Sequence, residues 1–456
     1  MRQMLFIIFI ALPGMWQAQD FSGVTLLANW DNDSLPLNFR DSRYSDCWGF
    51  VHNGEEYGVL ASTLGAHIIH IAEDNTLEES AYIPSPLQGF LANHRDYKTY
   101  GNHLYIVSDE PPSTLQIVDY SYLPDSVVLV YDSNEFFSTC HNLFVDETAG
   151  ILYACGTSTS GLSLYDIATN PAQPQLITHF DTQNYTHDMF IREDTAFLHR
   201  GFDGMMVVNF ADPVNPEVLG TLTEYPEQGY NHSGWLDASG QYYVMADETP
   251  GLDLKMLDVS DLTDIQVTDV FNSQESDVIY PHNAMIRDGL IFTSYYVEGL
   301  EVFDFSDPAN VERVAWYDTS PVPDADSVAH YGAWGVYPFL PSGKILISDR
   351  QEGLFVFGMD NYDLSVSEHQ QLTPQVTLYP NPASTEVRIR AACSILGVEG
   401  YSAQGKCLFS QASSAWEERG ENQGILHLDG CPEGMIMLRI HTTCGMQTHT
   451  CIHLQR

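Results

Sequence analysis

The chain has 456 residues, with 61 Asp and Glu against 18 Lys and Arg, for a formal charge of −43. So acidic a surface repels phosphate backbones and anionic lipids, which argues against nucleic-acid and membrane-surface partners. It attracts divalent cations and basic groups, and it keeps a protein soluble in salt. The charge is uneven: residues 20–374 hold 54 acidic against 11 basic side chains, while residues 375–456 hold 7 against 6.

At the start, "MRQMLFIIFIALPGMWQAQD" places Arg2 before a short apolar run that ends in small and polar residues. This predicts an export signal over residues 1–19. No later apolar run reaches the roughly 18 residues of a membrane helix, so the mature chain is expected to lack a transmembrane segment.

A recurring pattern then fills residues 20–363: an often Gly-led alternating run, an Asp, and a turn. It reads "LQIVDYSY" from Leu115, "GLSLYDIATNPAQP" from Gly161, "GMMVVNFADPVNP" from Gly204, "GLDLKMLDVSDL" from Gly251 and "GLEVFDFSDPANV" from Gly299. Weaker copies are "HIIHIAEDN" from His67 and "GLFVFGMDN" from Gly353. The Asp position falls at Ile71, Asp119, Asp166, Asn209, Asp258, Asp304 and Gly358, at intervals of 48, 47, 43, 49, 46 and 54. Around each copy the β-branched and aromatic runs and the Gly turns read as four antiparallel strands. Seven such units predict an all-β fold, a seven-bladed β-propeller. The seventh unit holds only three strands, and "GVTLLANWDN" from Gly23 resembles the fourth strand "VERVAWYDTS" from Val311. The N-terminal strand is therefore expected to complete the last blade and close the ring. The recurring Asp is expected to bond its own turn.

At the head of the first strand of five units stands a histidine: His94, His141, His187, His232 and His282. Trp48 and Trp334 take that place in the first and last units. Two roles fit. The imidazoles could satisfy backbone of the next blade at the strand ends. Alternatively, two or three adjacent ones, with an acid from among Asp96, Asp109, Asp188, Asp247, Glu248 and Asp349, could hold a ligand or a divalent cation, calcium or a transition metal. All five cannot reach one ion at about 2.1 Å. Cys140 and Cys155 flank one hairpin nearly symmetrically, which predicts a cross-strand disulfide. The chain carries no Gly-x-Ser-x-Gly, His-Glu-x-x-His, phosphate-binding glycine loop or EF-hand loop, so no catalytic residue is assigned.

The repeat ends before a linker at 364–374, and residues 375–456 predict a small β-sandwich of short strands. This tail resembles the C-terminal sorting domain of the type IX secretion system, in "LYPNPAS" at 378–384, "SAQGKCLF" and the final strand pair of "CPEGMIMLRIHTTCGMQTHTCIHL". Leu378, Tyr379, Pro380, Asn381 and Pro382 carry the opening motif. Five cysteines, Cys393, Cys407, Cys431, Cys444 and Cys451, depart from the usual tail. The body resembles the choice-of-anchor B family, whose unit overlaps the LVIVD repeat, in "LQIVD", "LSLYD", "LKMLD", "LEVFD" and "NHSGWLDASGQYYVMADE".

These resemblances imply a Bacteroidetes-type propeller, secreted or displayed at the outer surface after passage through the periplasm. Its partners would be the type IX secretion machinery and a protein or glycan ligand. No catalytic activity is implied; the alternative to a binding protein is a metal-assisted hydrolase or lyase at the channel mouth.

Overall fold

The computed structural model describes residues 21–158, 161–275, 278–320, 330–362 and 364, and shorter stretches between 377 and 453. The expected signal, all of the expected linker but Leu364, and Pro380, Asn381 and Pro382 lie outside the described residues. The chain divides into two compact units, Met1–Ser365 and Val366–Arg456.

In the first unit seven antiparallel sheets follow one another in chain order, over residues 44–84, 95–133, 142–180, 188–222, 231–271, 283–317 and 333–359. Each is a blade, and the recurring motif is its third strand, as in Leu115–Asp119 and Leu300–Asp304. Neighbouring blades cover both faces of these inner strands. Their side chains are therefore buried almost continuously, while fourth strands such as Val128–Ser133 lie largely exposed at the outer edge. Motif side chains that are polar at the second position, Gln116, Ser163, Lys255 and Glu301, are buried and must find partners inside. Arg313 clamps Glu301 with Nη2 to Oε1 at 2.6 Å, and Lys255 Nζ reaches Asp247 Oδ2 at 2.9 Å.

The glycine that leads the motif has a local cause. Gly299 has φ 81°, and a Cβ there would lie 2.2 Å from the carbonyl oxygen of Tyr317 on the fourth strand. Only glycine fits that backbone. At Gly353 the carbonyl met at 2.2 Å belongs to Trp30. The N-terminal strand thus occupies the place that a fourth strand takes in the other blades.

Val24–Trp30 pairs with the third strand of blade seven from Leu354 to Met359, as the sequence predicts. Phe21–Ser22 goes further and pairs with Trp316 and Tyr317 of blade six. Gly23 makes the step between the two blades, with φ 69° and no room for a Cβ beside Ala315. The motif aspartates also behave as expected: Asp304 Oδ1 accepts from Ser306 N at 2.7 Å, and Asp119 and Asp258 repeat the bond at 2.8 and 2.9 Å.

The expected Cys140–Cys155 disulfide is not formed; both are buried thiols. In the hairpin, Cys155 stands opposite Asn142, two residues past Cys140. The Cys155 thiol instead points to the carbonyl of His187 at 3.1 Å and the Cys140 thiol to that of Asn142 at 3.4 Å.

The second unit is a pair of four-stranded antiparallel sheets. They share one core, in which Val387, Ile389 and Leu426 of one sheet meet Val398, Ile436 and Leu438 of the other. Leu378 and Tyr379 lie in its first strand, Thr377–Tyr379, opposite Ile389 and Arg388.

Candidate functional site: the two mouths of the channel

The first strands of the blades converge on the propeller axis, and the five repeat histidines meet there. Ring centroids lie 4.3 Å apart for His94 and His141, 4.1 Å for His141 and His187, 4.4 Å for His187 and His232, and 4.3 Å for His232 and His282. Trp334 continues the series at 4.0 Å from His282 and returns towards His94 at 5.8 Å. The result is a crown of five imidazoles and an indole. Arg350 lies over Trp334 at 4.3 Å and is tied to Ser42 and Asn93 beside blade one.

The expected backbone contact to the next blade is made by His282, whose Nδ1 bonds the Trp334 carbonyl at 2.6 Å. The remaining crown histidines bond or pack chiefly on side chains. Nε2 of His141 and Nε2 of His187 share a hydrogen bond at 3.1 Å, and His187 Nδ1 meets the Tyr230 hydroxyl at 3.2 Å. Burial, reinforced by the neighbouring imidazoles, holds His94 and His187 well below the usual histidine value. Burial likewise lowers His232, to about 4. Nδ1 of His94 is buried with no hydrogen-bond partner.

Of the six acids proposed beside these histidines, two reach the crown. Asp109 stands 3.3 Å from His141 Nδ1, and Glu248 Oε2 stands 3.7 Å from His232 Nε2. Burial works to raise the Glu248 carboxyl, but His232 and His330 and the Tyr296 hydrogen bond outweigh it and keep it ionised. Asp247 is taken up by Lys255, and Asp349 by Thr319 and the backbone of Gln351.

Asp96 and Asp188 lie one layer further in, with Asp46, Asn142, Ser233 and Asn283, around a void of about 30 Å³. Lys98 Nζ binds both oxygens of Asp96 at 2.9 and 3.1 Å. Burial, with Asp96 adding and Lys98 opposing, pushes Asp46 up to about 8, and burial against the pull of Lys98 pushes Asp188 up to about 7. Both values exceed the unfolded one, near 4, so the fold keeps protons that the unfolded chain has lost. Stability from these groups is fullest below about pH 4 and is lost as pH rises through 7 and 8. For Asp46 the loss from pH 5 to 8 is on the order of 3 kcal/mol. Asp46→Asn should remove that share of the slope, so that urea midpoints of variant and parent converge at pH 5 relative to pH 8. A parallel pH profile for the two would count against a protonated Asp46.

Three residues beyond the crown, about 10 Å along the strands, the channel widens into a cavity of about 830 Å³. Its floor is aromatic: Trp235 packs edge-on to Phe190 at 4.7 Å and stacks on Phe339 at 5.1 Å, while Trp48 meets Tyr337 at 4.8 Å. Glu147, Arg192, Asp237, Arg287 and Asp288 form a rim of mixed charge. Trp48 therefore does not match Trp334, as the sequence alignment of the units has it. Trp48 pairs with Val59 in mid-strand, whereas Trp334 occupies a bulge at the head of its strand, so the two face opposite mouths. The aromatic layer went unread in the sequence, although Phe144, Phe190, Trp235 and Tyr337 each follow a crown residue by three.

Fold and channel together define a β-propeller. The solved structures most like it include U3-55K, at a TM-score of 0.51 and 9% identity over 74% of this chain and 98% of that one. The WD40 repeats of RRP9 match at 0.51 and 10%, over 75% and 100%, and the WD40 propeller domain of Doa1 at 0.51 and 13%, over 75% and 99%. At such identities the likeness is one of fold. No protein-family model and no curated protein matches the chain.

Proposed function

We propose that this is an exported binding protein that holds a glycan in the aromatic mouth of its propeller. The observation that carries the reading is the cavity of about 830 Å³ with Trp48, Phe190, Trp235 and Tyr337 in its floor and charged groups on its rim. Ligand sites have this composition, an apolar surface for area and a few polar groups for orientation. Aromatic faces suit the flat C–H face of a pyranose, and the more exposed rim groups Glu147, Arg192 and Asp288 suit its hydroxyl groups.

Screening the full mature chain on immobilised glycans, with tryptophan fluorescence as the solution readout, tests this. Trp235→Ala should weaken the bound glycan at least about tenfold, a loss near 1.4 kcal/mol. Retained affinity in Trp235→Ala, or no glycan bound and a peptide bound instead, overturns it.

Delivery by the type IX route rests on the resemblance of residues 375–456 to a sorting domain. Deleting those residues should strand the body in the periplasm, and normal surface delivery of the truncated chain would refute the route. A second reading, a metal-assisted hydrolase or lyase, is favoured by one observation, the grouping of His187, His232 and Glu248 at the opposite mouth.

A further inference from the structure

We propose that His187, His232 and Glu248 form a binding site for one divalent transition-metal ion of the zinc type, at the crown mouth and independent of the aromatic cavity. One ligand atom from each lies within 4.8 Å of the other two. The site draws on blades four and five, since His187 and His232 head successive first strands and Glu248 directly follows the second strand of blade five.

The donor set selects the ion. Two imidazoles and one carboxylate suit zinc, copper, nickel or iron, whereas calcium and magnesium prefer oxygen cages. Three protein ligands with a fourth position open is the arrangement of a zinc ion that also binds water or a ligand.

The surroundings hold these groups ready. Tyr296 donates to Glu248 Oε1, and His330 Nδ1 sits 3.3 Å from the same oxygen. That leaves Oε2 turned towards His232 Nε2 at 3.7 Å. The gap is too wide for a hydrogen bond and slightly wider than the ~3.3 Å between two ligands of a tetrahedral zinc with bonds near 2.05 Å. His187 is oriented by Tyr230 on Nδ1, and its Nε2, which shares a hydrogen bond with His141 Nε2 at 3.1 Å, exchanges that bond for the ion. Outer contacts of this kind, a hydroxyl on the histidine and donors on the carboxylate, are what fix ligands in metal sites.

Zinc titration of the untagged full chain against a chromophoric chelator tests the site, with cobalt(II) absorption reporting the coordination. One equivalent of zinc should bind, raise the melting temperature, and give the cobalt form a tetrahedral visible spectrum. Glu248→Gln should weaken zinc at least about 100-fold, and Tyr296→Phe, which spares every ligand, about 10-fold. His282→Ala, a crown histidine outside the site, should change affinity less than about threefold, below 0.7 kcal/mol. Absence of a stoichiometric metal overturns the proposal. So does an equal loss in His282→Ala and Glu248→Gln, which would assign binding to the crown as a whole. If Glu248→Gln fails to fold, Tyr296→Phe decides, and unchanged zinc affinity there overturns the proposed support of Glu248. Glycan binding at the far mouth is read separately, so either proposal can fail alone.

Discussion

Deleting residues 21–30 is expected to abolish the cooperative unfolding transition of the propeller. The deletion removes the clasp of blade seven, whose pairing runs from Val24 opposite Met359 to Trp30 opposite Leu354. It also removes the pair of residues on blade six and the fully buried Val24. Leu354 and Val356, both fully buried, would then line an open sheet edge. Lost burial of a few apolar side chains at about 1.5–3 kcal/mol each amounts to a large part of the 5–15 kcal/mol that holds a typical domain. Circular dichroism melts and gel filtration of the purified chain would check this. A sharp transition within a few degrees of the parent would show that the ring closes without its clasp. Gly23→Val offers a milder version, about 2–3 kcal/mol, because its Cβ would lie 2.8 Å from both Ala315 Cβ and the Val314 carbonyl at a φ of 69°.

Lys255→Met should cost about 3–5 kcal/mol, the range for leaving one member of a buried ion pair without the other. Lys255 and Asp247 are both fully buried, and Nζ holds Asp247 Oδ2 at 2.9 Å and the Asp253 carbonyl at 2.7 Å. After the change Asp247 keeps only Tyr225 Oη at 2.9 Å and the Gly229 amide at 3.2 Å, neither of them charged. Asp247→Asn in the Lys255→Met background should recover on the order of 2 kcal/mol, because the stranded charge is gone. Urea unfolding of the four proteins in this cycle measures both quantities. A Lys255→Met loss under about 1 kcal/mol, or no recovery in the double variant, would show that the pair contributes no more than a surface contact.

The repeat made most of the body legible, because a blade restates its strand and turn chemistry about every 47 residues. Gly299, Asp304 and their counterparts are dictated by contacts within one blade, and such contacts recur at fixed offsets. The crown histidines were found by the same recurrence, but their mutual stacking was not, since it depends on how far seven wedges converge on an axis. Trp48 was misplaced because blade one carries an irregularity between Tyr44 and Cys47 that shifts its register. The thiols of Cys140 and Cys155 show the opposite limit. Near symmetry in sequence says nothing about a pairing that a two-residue offset in register undoes. The charge on Lys255 and Glu301 reads as exposed in an alternating strand, and only the packing of blades on both faces reveals that it is buried.

The clasp also bears on when the molecule can fold. Thr25 Oγ1 donates to Asp360 Oδ1 across 335 positions of the chain. Closing a loop of that length costs about 5 kcal/mol of chain entropy by the logarithmic rule. Blades one to five can form as soon as each is made, from contacts within about fifty residues, but the first and last blades cannot be joined until the chain has passed residue 359. Folding is therefore split into fast local steps and one slow, late event. Until that event, the Val24–Trp30 strand and the blade-seven edge from Leu354 to Met359 are both free to pair with the wrong chain. The late joining of the ring is thus the stage at which this molecule is most open to misassembly.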